Sequence, residues 1–317
     1  MKGFVIALVA ILIISLMVCG GLIIVYGNDF LKGNLNLQID DWKDLAFDFG
    51  NYDTYEVNDT KTSDGVNINK LTASSVVADI EVIKWDKNEF SATFIGEIST
   101  RGEKPYLKMT ENGSTLSFEI KYPDNAKNIS NFSSSLKLYV YVPENYSNNI
   151  SLNSVSGNIN VTSFEVSQIS LNSVSGKILL DNITGNDLVA STVSGMLDFN
   201  EVYFTSSTLS TTSGKIKLSG DPGKLNANTV SGDVILSLYE LNGDIKIDTI
   251  SGSADLYLDK NISADVSLSS ISGNYSTGMP ISLNSSKKGH VSFIVGDHPT
   301  ASVEMTSVSG GISVNEN

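Results

Sequence analysis

Eight serines each stand directly before a glycine at matching places in the second half of this chain: Ser156-Gly157, Ser175-Gly176, Ser194-Gly195, Ser213-Gly214, Ser231-Gly232, Ser251-Gly252, Ser272-Gly273 and Ser309-Gly310. A serine hydroxyl becomes a nucleophile only where a base takes its proton and a third group orients that base. The chain has two histidines, His290 and His298, eight residues apart, and no Gly-x-Ser-x-Gly elbow. Its single cysteine, Cys19, lies far from both, so a zinc site lacks nitrogen and sulfur donors. Glycines about nineteen residues apart cannot close one phosphate-binding loop.

A polysaccharide-cleaving enzyme would need two carboxylates at a set separation, or a base with support for a developing anion. Asp181, Asp187, Asp198, Glu201, Asp233, Asp244, Asp248 and Asp255 occupy different positions of the repeat, and the only arginine, Arg101, precedes it. No catalytic, cofactor-binding or metal-binding residue is therefore assigned, and the polysaccharide-active enzyme remains the lesser alternative. The serine–glycine pairs are assigned instead as structural repeat turns.

The elements that must carry these turns follow from the spacing. The glycines are separated by 19, 19, 19, 18, 20, 21 and 37 residues, and each ends a tetrapeptide [Ser/Thr]-[Val/Ile/Thr]-Ser-Gly. A near-fixed period of this size marks a solenoid, whose units bury their apolar faces only by stacking. The long last step predicts a worn copy at Gly289. Apolar residues precede each glycine by seven and five positions (Ile150 and Leu152, Ile169 and Leu171) and follow it by two and four (Ile159 and Val161, Ile178 and Leu180). Both sets have the period of two of a strand. Each coil is thus expected to hold two short strands that bend at the Ser-Gly corner. Glycine is expected there for its access to φ > 0, and the serine for bonding local backbone.

Composition narrows the partners. The chain has 317 residues with 35 acidic against 21 basic side chains, a formal charge of −14. This acidity and the single arginine exclude nucleic acid as a partner. Residues 3–28 carry no charge. As a helix they would extend about 39 Å, enough for a hydrocarbon core of roughly 30 Å. Three readings compete: an uncleaved anchor, favoured by length; a cleaved secretory signal; and a lipoprotein signal with Cys19 as the lipidated residue. With Lys2 the only charged side chain before the span, the expected orientation puts the N-terminus in the cytoplasm and the repeats outside the cell membrane.

The expected organisation is all-β after a single transmembrane helix. It comprises a transmembrane anchor at 1–28, an acidic juxtamembrane spacer at 29–65 with a short helix around Trp42 to Phe47, a strand-rich cap with the first coils at 66–149, and a regular β-solenoid of about 19-residue coils at 150–317. Strands are expected from about Val66, and Ser74 to Val82 reads as a degenerate repeat. The cap would seal the first coil. The last coil has no such cover in the sequence, so its edge is either shielded by polar residues or free for self-association.

The run Leu138-Tyr139-Val140-Tyr141-Val142-Pro143, followed by Ile150 to Ile159 with its Val155-Ser156-Gly157 corner, resembles an adhesin-like family of β-strand-repeat proteins, of otherwise unknown function, in bacterial and archaeal envelopes. The resemblance covers roughly Val66 to the C-terminus. It implies a non-enzymatic surface protein that contacts a surface glycan or an envelope protein, and supplies no catalytic residues or cofactor. The alternative within the same architecture is an envelope scaffold or stress-response accessory acting by self-association.

Overall fold

The computed structural model describes residues 53–100, 103–122, 131–132 and 136–317. Every regular element among them is a strand, and none is a helix long and apolar enough to cross a membrane. The apolar segment 3–28 and the short helix expected near Trp42 lie outside the described residues.

The repeats form a parallel β-solenoid with one continuous apolar core. Its most regular part is three strands of 15 residues, Ile159–Ser173, Ile178–Thr192 and Leu197–Thr211, that pair in parallel with a 19-residue offset. These strands are not straight. In the first, Ile159 and Val161 point inward, then Phe164 and Val166, then Ile169 and Leu171, with exposed pairs at Thr162–Ser163 and Ser167–Gln168 between them. Two exposed residues in succession break a period of two, so the chain turns a corner at each pair. Each regular coil therefore has three faces, and the two-strand coil expected from the sequence is corrected. The unforeseen face is lined by Phe164, Val166, Ile183, Val202 and Phe204, all buried.

The corner before this third face depends on left-handed backbone. Ser163, Asn182 and Glu201 have φ of 61°, 54° and 50°, and Gly220 follows at 128°. A non-glycine residue there costs about 1–2 kcal/mol, against which polar bonds run from coil to coil. Asn182 Nδ2 donates to Ser163 Oγ at 3.3 Å, and the Glu201 N–H donates to Ser219 Oγ at 3.2 Å.

The order of coils departs from chain order at both ends. The strands Lys70–Ser75 and Asp79–Trp85 form a coil with Ala78 in the glycine position, placing the degenerate repeat where its sequence suggests. That coil lies between the one built from Thr115–Lys121 and Lys137–Pro143 and the Gly157 coil. At the other end, Ala301–Ser307 and Ile312–Glu316 form the Gly310 coil, which pairs with the Gly252 coil on one side and the Gly273 coil on the other. The last coil in sequence is thus internal, and its edge is not free.

Antiparallel strands close the two ends. Phe90–Thr100 pairs with Lys137–Pro143 and with Asp53–Ser63, and Tyr106–Asn112 pairs with Thr115–Lys121. Among the described residues, strand Asp53–Ser63 therefore lies inside the stretch read from sequence as a spacer. Its row that faces the sheet continues from Tyr55 and Val57 into Asp59 and Lys61, an ion pair at 3.2 Å, which hides the alternation. Asp59 Oδ2 also accepts the Leu107 N–H at 2.9 Å. At the far end a hairpin of Ser282–Lys287 and His290–Val295 covers the Gly273 coil. Gly289 is its turn residue, with φ 79°, and not a worn corner.

Candidate interaction surface

The eight serine–glycine pairs form one column up the solenoid. In each pair the serine N–H and O–H both reach a single carbonyl of the neighbouring coil. For Ser156 it is Val76 O, at 2.8 and 3.1 Å; for Ser175 it is Val155 O, at 2.9 and 3.3 Å. The same pairing holds for Ser194, Ser213, Ser231, Ser251, Ser272 and Ser309. With its proton directed at that carbonyl, each of these hydroxyls acts as a staple between neighbouring coils.

The glycines serve a purpose other than left-handed geometry. None of Gly157, Gly176, Gly195, Gly214, Gly232, Gly252, Gly273 and Gly310 has positive φ, which corrects the reason expected from the sequence. A Cβ on any of them would lie 1.6–2.1 Å from a carbonyl oxygen of the adjacent corner, for example 1.7 Å from Gly195 O at Gly214. The residue must be glycine because backbone packs directly on backbone.

A second column of hydroxyls lies inside the first. The initial Ser or Thr of the tetrapeptide is buried, and its oxygen accepts the motif glycine's N–H: Gly176 to Ser173 at 2.8 Å, Gly195 to Thr192 at 3.0 Å, Gly214 to Thr211 at 2.9 Å. Ser154 is the exception, buried with a hydroxyl that has no partner. Thr192→Val should therefore cost about 1–3 kcal/mol by orphaning a buried N–H. Ser154→Ala, which removes no bond, should change stability by no more than about 0.5 kcal/mol. Chemical denaturation of the two variants separates a bonded role from a merely shape-filling one.

Of the carboxylates singled out from the sequence, Asp233 and Asp255 come together at one hydroxyl, Ser253 Oγ, at 3.0 and 3.3 Å. Asp181 accepts Asn200 Nδ2 at 2.7 Å, and Asp198 pairs with Lys177 at 2.7 Å. Asp233 takes both the N–H and O–H of Ser253, and Asp255 takes Ser313 Oγ at 2.6 Å. The Ser302 N–H and hydroxyl hold the Asp244 carboxyl below its ordinary pKa. Burial pushes that of Asp248 up, against the pull of Lys246. These acids bind one coil to the next. His290 Nδ1 meets Ser269 Oγ at 3.1 Å across the end hairpin, while His298 sits in an exposed loop. Among the described residues no three His, Cys, Asp or Glu side chains gather as a metal site would require.

What the fold does assemble is a flat lane on the outer side of the face that precedes each corner. Paired registers align Thr72, Ser151, Ser170, Val189, Thr208 and Asn226 in one row, and Ser74, Asn153, Asn172, Ser191, Ser210 and Asn228 in the next. Neither row carries a charge in these six coils, while the row two residues earlier on the same strands holds Lys70, Asp187 and Lys224. With strands about 4.8 Å apart the lane is about 24 Å long. It is pre-set by its own bonds, Asn172 Nδ2 to Asn153 Oδ1 at 3.0 Å and Ser191 Oγ to Asn172 Oδ1 at 2.7 Å. Charge returns at the next coil with Lys246 and Asp248. The sequence contained both rows, but attention to serine beside glycine passed over the hydroxyls and amides four and six residues before it.

A stack of parallel coils with a glycine-packed corner and antiparallel caps defines the class of protein. The chain belongs to the Toastrack DUF4097 family, whose model matches residues 68–315. No curated protein matches it. Among solved structures it is similar to a candidate adhesin from Bacteroides fragilis, at 14% identity over 84% of this chain and 97% of that one, with a TM-score of 0.41. It is also similar to a candidate lipid-binding protein from Parabacteroides distasonis, at 18% identity over 85% and 98%, with a TM-score of 0.40. A candidate cell adhesion protein from Clostridium sporogenes aligns over 83% of this chain and 100% of that one, at 14% identity and a TM-score of 0.25. At these TM-scores the likenesses carry no argument about function.

Proposed function

We propose that this protein is a non-enzymatic cell-surface adhesin or envelope-interaction protein, a stiff solenoid held outside the cell by its N-terminal apolar segment. The supporting observation is the uncharged lane of hydroxyls and amides, about 24 Å long, on a chain of net charge −14. Such a surface offers paired donors and acceptors at strand spacing without the repulsion that the acidic remainder would impose. That suits a surface glycan or a polar envelope protein. The serines and carboxylates that would serve an enzyme are engaged in bonds between coils, which favours binding over catalysis.

The test uses the full-length protein on intact cells. Ser151→Lys and Thr208→Lys place charge in the lane at positions where substitution should alter stability by about 0.5 kcal/mol or less. Binding to cells or to immobilised surface glycans should be lost, with thermal unfolding unchanged. Unchanged binding in both variants would defeat the role of the lane. Resistance of the repeats to protease added outside intact cells would defeat the location.

A further inference from the structure

The Gly310 coil occupies a slot between two coils that are consecutive in the chain. Gly252 and Gly273 belong to neighbouring repeats joined by only five residues, 259–263, yet between their corners lies the corner of Gly310. Both walls of the slot pair with the inserted strands in full motif register: Ile245 with Val303 with Val266, and Ile247 with Met305 with Leu268. The donor adds contacts particular to this site. Ser302 gives its N–H and hydroxyl to Asp244 at 2.9 and 2.8 Å, and Glu304 lies 3.4 Å from Lys246.

We infer that the coil of residues 301–317 is exchanged between copies, so that one chain's coil fills the slot of another and reciprocal filling makes a dimer. Three features lead there. First, each of these contacts joins the coil to its slot, and another copy's slot offers the same set, so exchange loses none of them. Second, the tether is slight. Residues 296–300 are all exposed, Gly296 has φ 70°, and the bond from the Asp297 N–H to Ser263 Oγ at 3.3 Å pins the loop's start. Third, the two walls present matching motif positions, Ile245 and Val266, and Gly252 and Gly273, so a vacated slot exposes two edges that the equivalent coil of another copy completes in the same register. The released coil is then an unpaired parallel strand pair seeking a slot. Crowding on a surface favours the intermolecular choice, because the tether's advantage is only one of effective concentration. This inference does not rest on the adhesion reading.

The test traps the exchange in the full chain, in detergent, on a Cys19→Ser background. Lys246→Cys and Glu304→Cys lie opposite each other on adjacent parallel strands, within the reach of a disulfide. Separately prepared single variants are mixed, incubated and oxidised. The expected product is a disulfide-linked heterodimer whose yield rises with protein concentration. The pairing of Glu304→Cys with Lys217→Cys, which lies coils away from the slot, should give none. The double variant in one chain, oxidised when dilute, should give an intrachain disulfide, which shows that the slot is formed. That intrachain bond with no heterodimer at any concentration would overturn the proposal, as would equal heterodimer from the Lys217 control.

Discussion

Replacing Gly214 with alanine should destabilise the solenoid by about 3 kcal/mol or more, the upper end of the overpacking range. The added methyl would sit 1.7 Å from Gly195 O and 2.8 Å from Thr211 Oγ1. The oxygen is backbone, so only separation of the two coils relieves the clash. Gly113 supplies the comparison: it has φ +59° with nothing within 4 Å of a Cβ, and its alanine variant should cost about 1–2 kcal/mol for the left-handed backbone alone. The larger loss at the residue with ordinary φ would establish close stacking, and not φ, as the reason for the motif glycine. A solenoid's stability is a sum over neighbouring interfaces, so a wedge at this mid-stack corner also uncouples the coils below it from those above. Calorimetry should show the single transition broaden or split for Gly214→Ala and remain single for Gly113→Ala. Equal, small losses at both positions would contradict the packing argument.

The corners and two of the three faces were legible because they repeat in type: Ser-Gly in the column, and Ile, Leu or Val at fixed offsets on either side of it. The third face was present in the sequence at seven and nine residues past the glycine, but its row runs Phe164-Val166, Ile183-Gly185 and Val202-Phe204, and in the next coil a register shift sets Gly220 beside Val202. Gly185 breaks the pattern for a reason visible only in the fold. A Cβ there would lie 2.6 Å from Val166 O and 2.7 Å from the Phe204 ring, so the backbone of one neighbouring coil and a large side chain of the other both take its room. The corner before that face was hidden too, because Ser163 and Glu201 adopt left-handed backbone without glycine to announce it.

Coil order was illegible for a different reason. When every repeat presents nearly the same apolar rows, any coil can stack on any other in register. What singles out the slot for residues 301–317 is a few polar contacts between distant positions, such as Asp244 with Ser302 and Lys246 with Glu304. The candidate surface depended on that same register. The rows of Ser, Thr and Asn become a lane only once the 19-residue offset is known to be exact pairing and not merely similar sequence.

Phe204→Ala should cost about 3–5 kcal/mol, the range for emptying a buried aromatic site, whereas Tyr203→Ala beside it should cost about 0.5 kcal/mol or less. In a coil of two strands, residues 203 and 204 would both belong to a solvent-facing connection, and neither substitution would matter. In the three-faced coil they are adjacent residues of one short strand and must point opposite ways. Phe204 is 5% exposed and lies over Gly185, while Tyr203 is 39% exposed on the outer side. The cavity left by Phe204 has little means of collapse from the Gly185 side, because that coil offers no side chain to move in and pairs in register with the Phe204 strand from Ile178 to Thr192. Filling is the converse measurement. Combining Gly185→Ala with Phe204→Leu should relieve the ring clash but not the 2.6 Å approach of the new methyl to Val166 O, so the double variant should lose less than the sum of the two single losses while staying less stable than the parent. Gly185→Ala alone should destabilise by pressing on both Val166 O and the ring. A double variant no more stable than the sum of its parts would mean that the two positions do not share one volume, and the third face would have to be redrawn.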